Sequence, residues 1–134
     1  MNIETFDDLL QAARAQPQPQ RLLFVFARAE LPDDATPEQR LSHAAGEGGA
    51  LVPAMCVDKS PDEVVGFAAL VQESLAFAPD WAIVFAAAMS GRGGRPPSSA
   101  EAAEPLQRMV EALSAGTIGS CLAFDRQGRA VNLG

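Results

Sequence analysis

Near the start of the chain, Phe6, Leu9, Leu10 and Ala13 recur at i, i+3, i+4 and i+7, and Thr5 stands three residues before Asp8 as a capping pair. This spacing predicts a helix over about residues 5–15. Gln16-Pro17-Gln18-Pro19-Gln20 cannot continue it, because each proline removes an amide donor and clashes with the preceding turn, so a short stiff connector follows. Leu22-Leu23-Phe24-Val25-Phe26-Ala27 is then an unbroken apolar run, the pattern of a strand covered on both faces and central in its sheet. Residues 28–49 are too many for a bare loop, and Thr36-Pro37-Glu38-Gln39 supplies a cap, a first-turn proline and a capping partner. A short helix over residues 37–45, closed by Gly46, is expected.

Residues 50–57 read as a second strand, with Pro53 arguing for an edge position or a bulge. Ser60-Pro61-Asp62-Glu63 repeats the cap, proline and acidic pattern, and Val64, Phe67, Ala68, Val71 and Leu75 line one face of a helix ending near Phe77. Residues 81–89 form another apolar run, read as a central strand, whose Ala86-Ala87-Ala88 segment lets a helix or ligand approach the sheet backbone. Ser98 with Glu101 opens a last helix along Leu106, Met109, Val110 and Leu113, closed by Gly116, with Pro105 near its first turn. Residues 120–124 and 129–133 flank Asp125-Arg126-Gln127-Gly128 as a terminal hairpin, Gly128 being available for positive φ. The expected fold class is therefore a single-domain α/β architecture over residues 1–134. It has an open, mostly parallel or mixed sheet of about five strands, three main helices, one short helix and a C-terminal β-hairpin. The layers number three, or two if the helices share a face.

Composition narrows this picture. Of 134 residues 64 are apolar, but 25 of those are alanine, so 39 larger apolar side chains remain for the core of one compact domain. Residues 1–90 carry 5 basic and 13 acidic groups and residues 91–134 carry 5 and 4, so nets of -8 and +1 make up the total of -7. So acidic a chain lacks the basic face that coats nucleic acid, and nucleic acid is not an expected partner. The longest apolar run is nine residues, against the roughly 18–20 that cross a bilayer, so no membrane partner is expected either. The acidic start, where a secretory signal would be basic and then apolar, and two cysteines in unlike contexts point to the reducing cytoplasm.

Phe6-Asp7-Asp8-Leu9-Leu10, Leu23-Phe24-Val25-Phe26-Ala27 with Glu30-Leu31-Pro32-Asp33-Asp34-Ala35-Thr36, Met55-Cys56-Val57-Asp58-Lys59, and Ser90-Gly91-Arg92-Gly93-Gly94 carry a resemblance. Across nearly its whole length the chain resembles a family of small uncharacterised proteobacterial proteins, whose members often bear the label of a ribonucleotide reductase alpha subunit. That label implies a barrel of several hundred residues with a radical cysteine and a redox pair, and 134 residues with two isolated cysteines do not supply it. In element order alone the chain is also similar to the amino-terminal domain of the enhanced serine sensitivity proteins. Neither resemblance carries a functional residue to this chain.

The candidate chemistry centres on residues 90–99, Ser-Gly-Arg-Gly-Gly-Arg-Pro-Pro-Ser-Ser, which follow an expected central strand and precede a helix, where open α/β sheets bind ligands. Glycine amides can approach an anion closely, arginines fork onto phosphate or carboxylate, and a helix N-terminus adds partial positive charge. Gly91, Arg92, Gly93, Gly94 and Arg95 are accordingly the candidate ligand-binding residues. The run lacks the Lys-Ser/Thr of a Walker loop, and Pro96 replaces the third glycine of a dinucleotide fingerprint; the plainer reading is a flexible, soluble connector.

Cys56, before Lys59 and a capped helix start, is the candidate nucleophile or redox sensor, although the alternation of Met55 and Val57 favours a buried, inert thiol. Cys121, among Leu122, Ala123 and Phe124, reads as core. His43, the only histidine, has no ligand at zinc spacing and could meet Cys56 only through the fold. Asp33, Asp34, Asp58, Asp62 and Glu63 either converge as magnesium ligands or serve local turns and helix starts, the nearer explanation. No cofactor or metal is expected. The leading expectation is a small interaction or regulatory module without catalytic activity, forming a homodimer through an exposed helix face or sheet edge. The alternative is a binder of, or enzyme acting on, an anionic small molecule at the Gly/Arg loop.

Overall fold

The structure, a computed structural model, describes residues 3–30, 50–115, 118 and 121–131. Helix α1 (Phe6–Arg14) precedes strands β1 (Gln20–Glu30) and β2 (Ala50–Lys59), a 3-10 turn (Pro61–Glu63), α2 (Phe67–Leu75), β3 (Ile83–Ser90), α3 (Ser99–Ala115) and β4 (Leu122–Phe124). The short helix expected over residues 37–45, His43 and the Asp33-Asp34 pair lie outside the described residues. Among the described residues no helix is long and apolar enough to cross a membrane.

The sheet runs β2-β1-β3-β4, and each neighbouring pair is antiparallel. The mostly parallel or mixed sheet expected from helix–strand alternation is therefore corrected. β2 returns beside β1, and the stretch carrying α2 then leads across to β1's other side, so β2 and β3 share a direction without touching. β1 is central, as its double-sided apolar run predicts: Leu22, Phe24, Phe26 and Ala27 are 0% exposed. Pro53 behaves as proline must, since β2 is the edge strand in this order and the register with β1 slips between Phe26/Met55 and Ala27/Pro53.

The fold has three layers. Leu22, Phe24 and Phe26 face α1 and α2, packing with Phe6, Leu10, Leu70 and Trp81. Leu23, Val25 and Ala27 face α3, packing with Leu106, Met109 and Leu113. Trp81, expected to open β3, precedes it; its ring stands edge-on to Phe26 at 5.0 Å, and its indole N–H donates to Ser74 Oγ at 2.7 Å. Arg126 lies over the same ring, 5.2 Å from its centroid.

Three element boundaries differ from expectation. The helix expected from Pro61 to about Phe77 is broken, because Val64 takes an extended conformation to bury its side chain and Gly66 is fully extended at φ 173°; α2 starts only at Phe67. Pro105 sits inside α3 rather than in its first turn, removing the amide that would serve the Glu101 carbonyl. The fifth strand shrinks to isolated bridges, Arg129 with Thr5 and Ala130 with Phe124, beyond a turn in which Gly128 has φ 79°. The returning chain is thus shared between β4 and the start of α1, where Phe6 N–H donates to Gly128 C=O at 2.8 Å.

Both capping boxes expected at Thr5/Asp8 and Ser60/Glu63 form. The Asp8 carboxyl is held below its ordinary range by the Glu4 N–H and then the Thr5 N–H; the Glu63 carboxyl is lowered by the Ser60 N–H. A carboxylate whose pKa falls on folding stabilises fully above its unfolded pKa, and that stability is lost as pH falls through the folded value. The double variant Asp8→Asn/Glu63→Gln is therefore expected to be less stable than the parent at pH 7 and to converge with it below about pH 4 in urea unfolding.

Candidate functional site

The Gly/Arg run folds into a tight two-residue hairpin rather than an open loop. Arg92 and Arg95 exchange both backbone hydrogen bonds, at 3.1 and 3.0 Å, around Gly93 and Gly94. Both glycines have positive φ, 58° and 76°, the requirement of a type I′ turn. The hairpin is tied to the proline-rich connector: Gly91 N–H donates to Pro19 C=O at 2.8 Å, and Gly94 N–H to Gln18 Oε1 at 2.9 Å. Gly91 has a second constraint, since a Cβ there would overlap the Arg95 carbonyl oxygen.

This geometry sorts the candidate ligand-binding residues by what each still has to offer. The Gly91 and Gly94 amides already donate within the chain. The helix start nearby is also occupied, because Ser98 Oγ accepts from Glu101 N–H and Glu101 Oε1 accepts from Ser98 N–H, each at 3.1 Å. The two guanidinium groups are different. A directly opposed pair projects both side chains from one face of a hairpin, and both arginines are exposed and line a cleft of about 440 Å³ with Met89, Pro97 and Glu101. Among the described residues no carboxylate lies within 4.0 Å of either guanidinium. Two like charges held side by side repel, and an anion accepting from both forks relieves that repulsion.

Of the acids weighed as magnesium ligands, Asp33 and Asp34 lie outside the described residues, and Asp58 and Glu63 are engaged within the chain. Asp58 Oδ2 accepts from Arg21 Nε at 2.6 Å, and Asp58 Oδ1 accepts from Ser99 Oγ at 3.1 Å, so this carboxylate joins β2, β1 and the start of α3. With side chains only 15% and 16% exposed, Arg21 and Asp58 form a structural pair. Glu63 closes its capping box, and among the described residues no group of His, Cys, Asp and Glu is arranged to hold a metal.

Cys56 is exposed, which corrects the favoured buried reading. It sits opposite Val25 on β2, a strand at one end of the sheet order. Lys59, considered as a thiolate partner, pairs with Glu73 of α2 at 3.0 Å. Cys121 is half-buried against the α3-side core.

The hairpin itself was legible but missed: Gly-Gly between two arginines is the short-turn signal, and reading it would have set the guanidiniums side by side. Gly91→Ala is expected to open the turn, moving the Arg92, Gly94 and Arg95 amide resonances in ¹H–¹⁵N spectra while leaving those of α1 in place. No family model matches the chain, and neither a curated protein nor a solved structure resembles it at a significant level.

Proposed function

We propose that this protein is a small, non-catalytic interaction module whose recognition element is the Arg92–Arg95 pair, taking up a carboxylate or phosphate group. The observation that carries this reading is the pairing of two exposed guanidiniums, without a carboxylate partner among the described residues, on a hairpin braced by Gln18 and Pro19. Bracing matters because a pre-set fork loses less side-chain freedom on binding. Small-molecule sites usually bury most of their ligand, whereas here Arg92, Gly93, Gly94 and Arg95 are all exposed. An anionic group carried on a larger partner suits such a ridge.

The cleft of about 440 Å³ lined by both arginines favours a second reading, an anionic small molecule as ligand. A thermal-shift panel of phosphate, sugar phosphates, nucleotides and dicarboxylates, run on the parent and on Arg92→Ala/Arg95→Ala at two salt concentrations, separates the two. The double variant alone is expected to keep the parent's midpoint, because exposed like charges contribute little to stability. A ligand at about 100 times its Kd adds roughly 2.7 kcal/mol and moves the midpoint by several degrees. A shift seen only in the parent makes the protein a small-molecule binder. A flat panel, with salt-sensitive binding of tetraglutamate by the parent alone, is the result expected of the module; no binding in either arm removes the arginine pair as a site.

Homodimer formation belongs to the same proposal. Val65 and Phe77, 87% and 74% exposed on either side of α2, supply apolar surface for a second copy. Light scattering at micromolar concentration is expected to give twice the monomer mass and the monomer mass for Phe77→Glu; a strict monomer in the parent removes the dimer.

A further inference from the structure

Glu101 stands in the arginine cleft as well, and its charge changes what that cleft can take. Arg92, Arg95 and Glu101 line the same space of about 440 Å³, together with Met89 and Pro97. No ion pair within 4.0 Å joins Glu101 to either arginine. Opposite charges share one cleft without neutralising each other, because each side is committed locally. The arginines are set by the Gly93-Gly94 turn, and Glu101 Oε1 is held at the start of α3 by the Ser98 N–H at 3.1 Å. That hydrogen bond uses part of one oxygen, so the carboxylate keeps its charge and further acceptor capacity.

A purely anionic ligand drawn to the arginines also meets the Glu101 carboxylate, and those like charges repel. A ligand carrying both an acid and a base meets an opposite charge at each end. The walls of the cleft bear on which base. Pro97 is buried and Met89 half-buried, apolar surface along which the methylenes of a lysine or arginine side chain can lie while its cation reaches Glu101. The charge of the whole chain acts in the same direction: at a net -7 it repels a uniformly acidic partner and spares a segment whose charges cancel.

We infer that the segment recognised at this cleft is a mixed-charge peptide of a partner protein, whose acidic side chain is taken by Arg92 and Arg95 and whose neighbouring lysine or arginine is taken by Glu101. The acidic half of this proposal rests on the arginine reading above; the cation is new to it. A protein segment fits better than a free amino acid, because Arg92, Arg95 and Glu101 are all exposed and would bury little of so small a ligand.

Glutamine accepts from the Ser98 N–H as glutamate does, so Glu101→Gln keeps the capping box, leaves the thermal midpoint in place and removes only the charge. Fluorescence anisotropy then tests the proposal with fluorescein-labelled peptides in which one glutamate and one lysine stand one to four residues apart among alanine and serine. Each is paired with a version carrying norleucine for lysine, which keeps the stem and drops the cation. The best lysine peptide is expected to bind the parent about threefold more tightly than its norleucine version, and the two are expected to bind Glu101→Gln alike. Glu104→Gln, an equal change of charge one turn along α3 and not in the cleft wall, should keep the threefold preference. Arg92→Ala/Arg95→Ala should weaken both peptides at least tenfold.

Lysine and norleucine versions binding the parent alike, or a preference that survives in Glu101→Gln, would overturn the role of Glu101 and leave the arginine reading standing. A preference lost equally in Glu104→Gln would overturn it too, by making net charge the cause. Both peptides binding Arg92→Ala/Arg95→Ala as tightly as the parent would overturn the arginine reading and this one with it. Free lysine displacing the peptide at equal concentration would overturn the partner segment in favour of a small zwitterion. No binding of any lysine peptide up to about 1 mM would overturn the inference as a whole.

Discussion

Everything in this fold hangs on a strand that is dry on both sides. Residues 22–27 of β1 are at most 2% exposed, so their amides and carbonyls have no water to turn to and must find partners in neighbouring strands. β2 and β3 supply those partners, while α1 and α2 on one face and α3 on the other keep water out. With only 39 apolar side chains larger than alanine, the chain covers both faces of β1 and of the adjoining Val84, Phe85 and Ala86 of β3, and less beyond them. That explains why burial falls away so quickly toward β2, whose residues 51–59 are half-buried except for exposed Cys56.

Double-sided burial creates a difficulty that the polar residues resolve. Leu22, Phe24 and Phe26 on one face and Leu23, Val25 and Ala27 on the other are all apolar, so the run itself does not strongly distinguish its two faces, and a one-residue slip would exchange them. Register has to come from the ends. Gln20 Nε2 donates to Ser90 Oγ at 3.1 Å, Arg21 grips Asp58, and Asp58 in turn takes Ser99. A half-buried ion pair adds little net stability, but a slipped strand would leave both charges uncompensated. Arg21 and Asp58 thus act on the choice of arrangement more than on its depth.

Those facts also explain what could be read from the chain in advance. The capping boxes, the central position of β1 and the behaviour of Pro53 follow from local chemistry, and they were legible. Strand direction was not, because helices between strands suggest parallel crossovers, whereas β1 here separates the two strands joined through α2. The break before α2 was hidden for a related reason. Val64 and Phe67 fit one helical face on paper, but burying Val64 beside the 3-10 turn required extended backbone instead. In the candidate site the residue types were visible, and their availability was not: only the fold shows that Gln18 and Pro19 take two glycine amides and leave the guanidiniums.

Trp81 is the one indole in the chain, and it touches β1 through Phe26, α2 through Ser74 and the C-terminal turn through Arg126. All of those contacts lie in the layer of α1 and α2. Intrinsic fluorescence is therefore an optical report from one side of the sheet and is silent about the α3 layer. Far-ultraviolet circular dichroism instead sums the helices of both layers, α3 with 17 residues and α1 and α2 with 9 each. Coincidence of the two melting curves would mean that the layers share a single cooperative unit, and separation would mean that the sheet can hold one helical layer without the other.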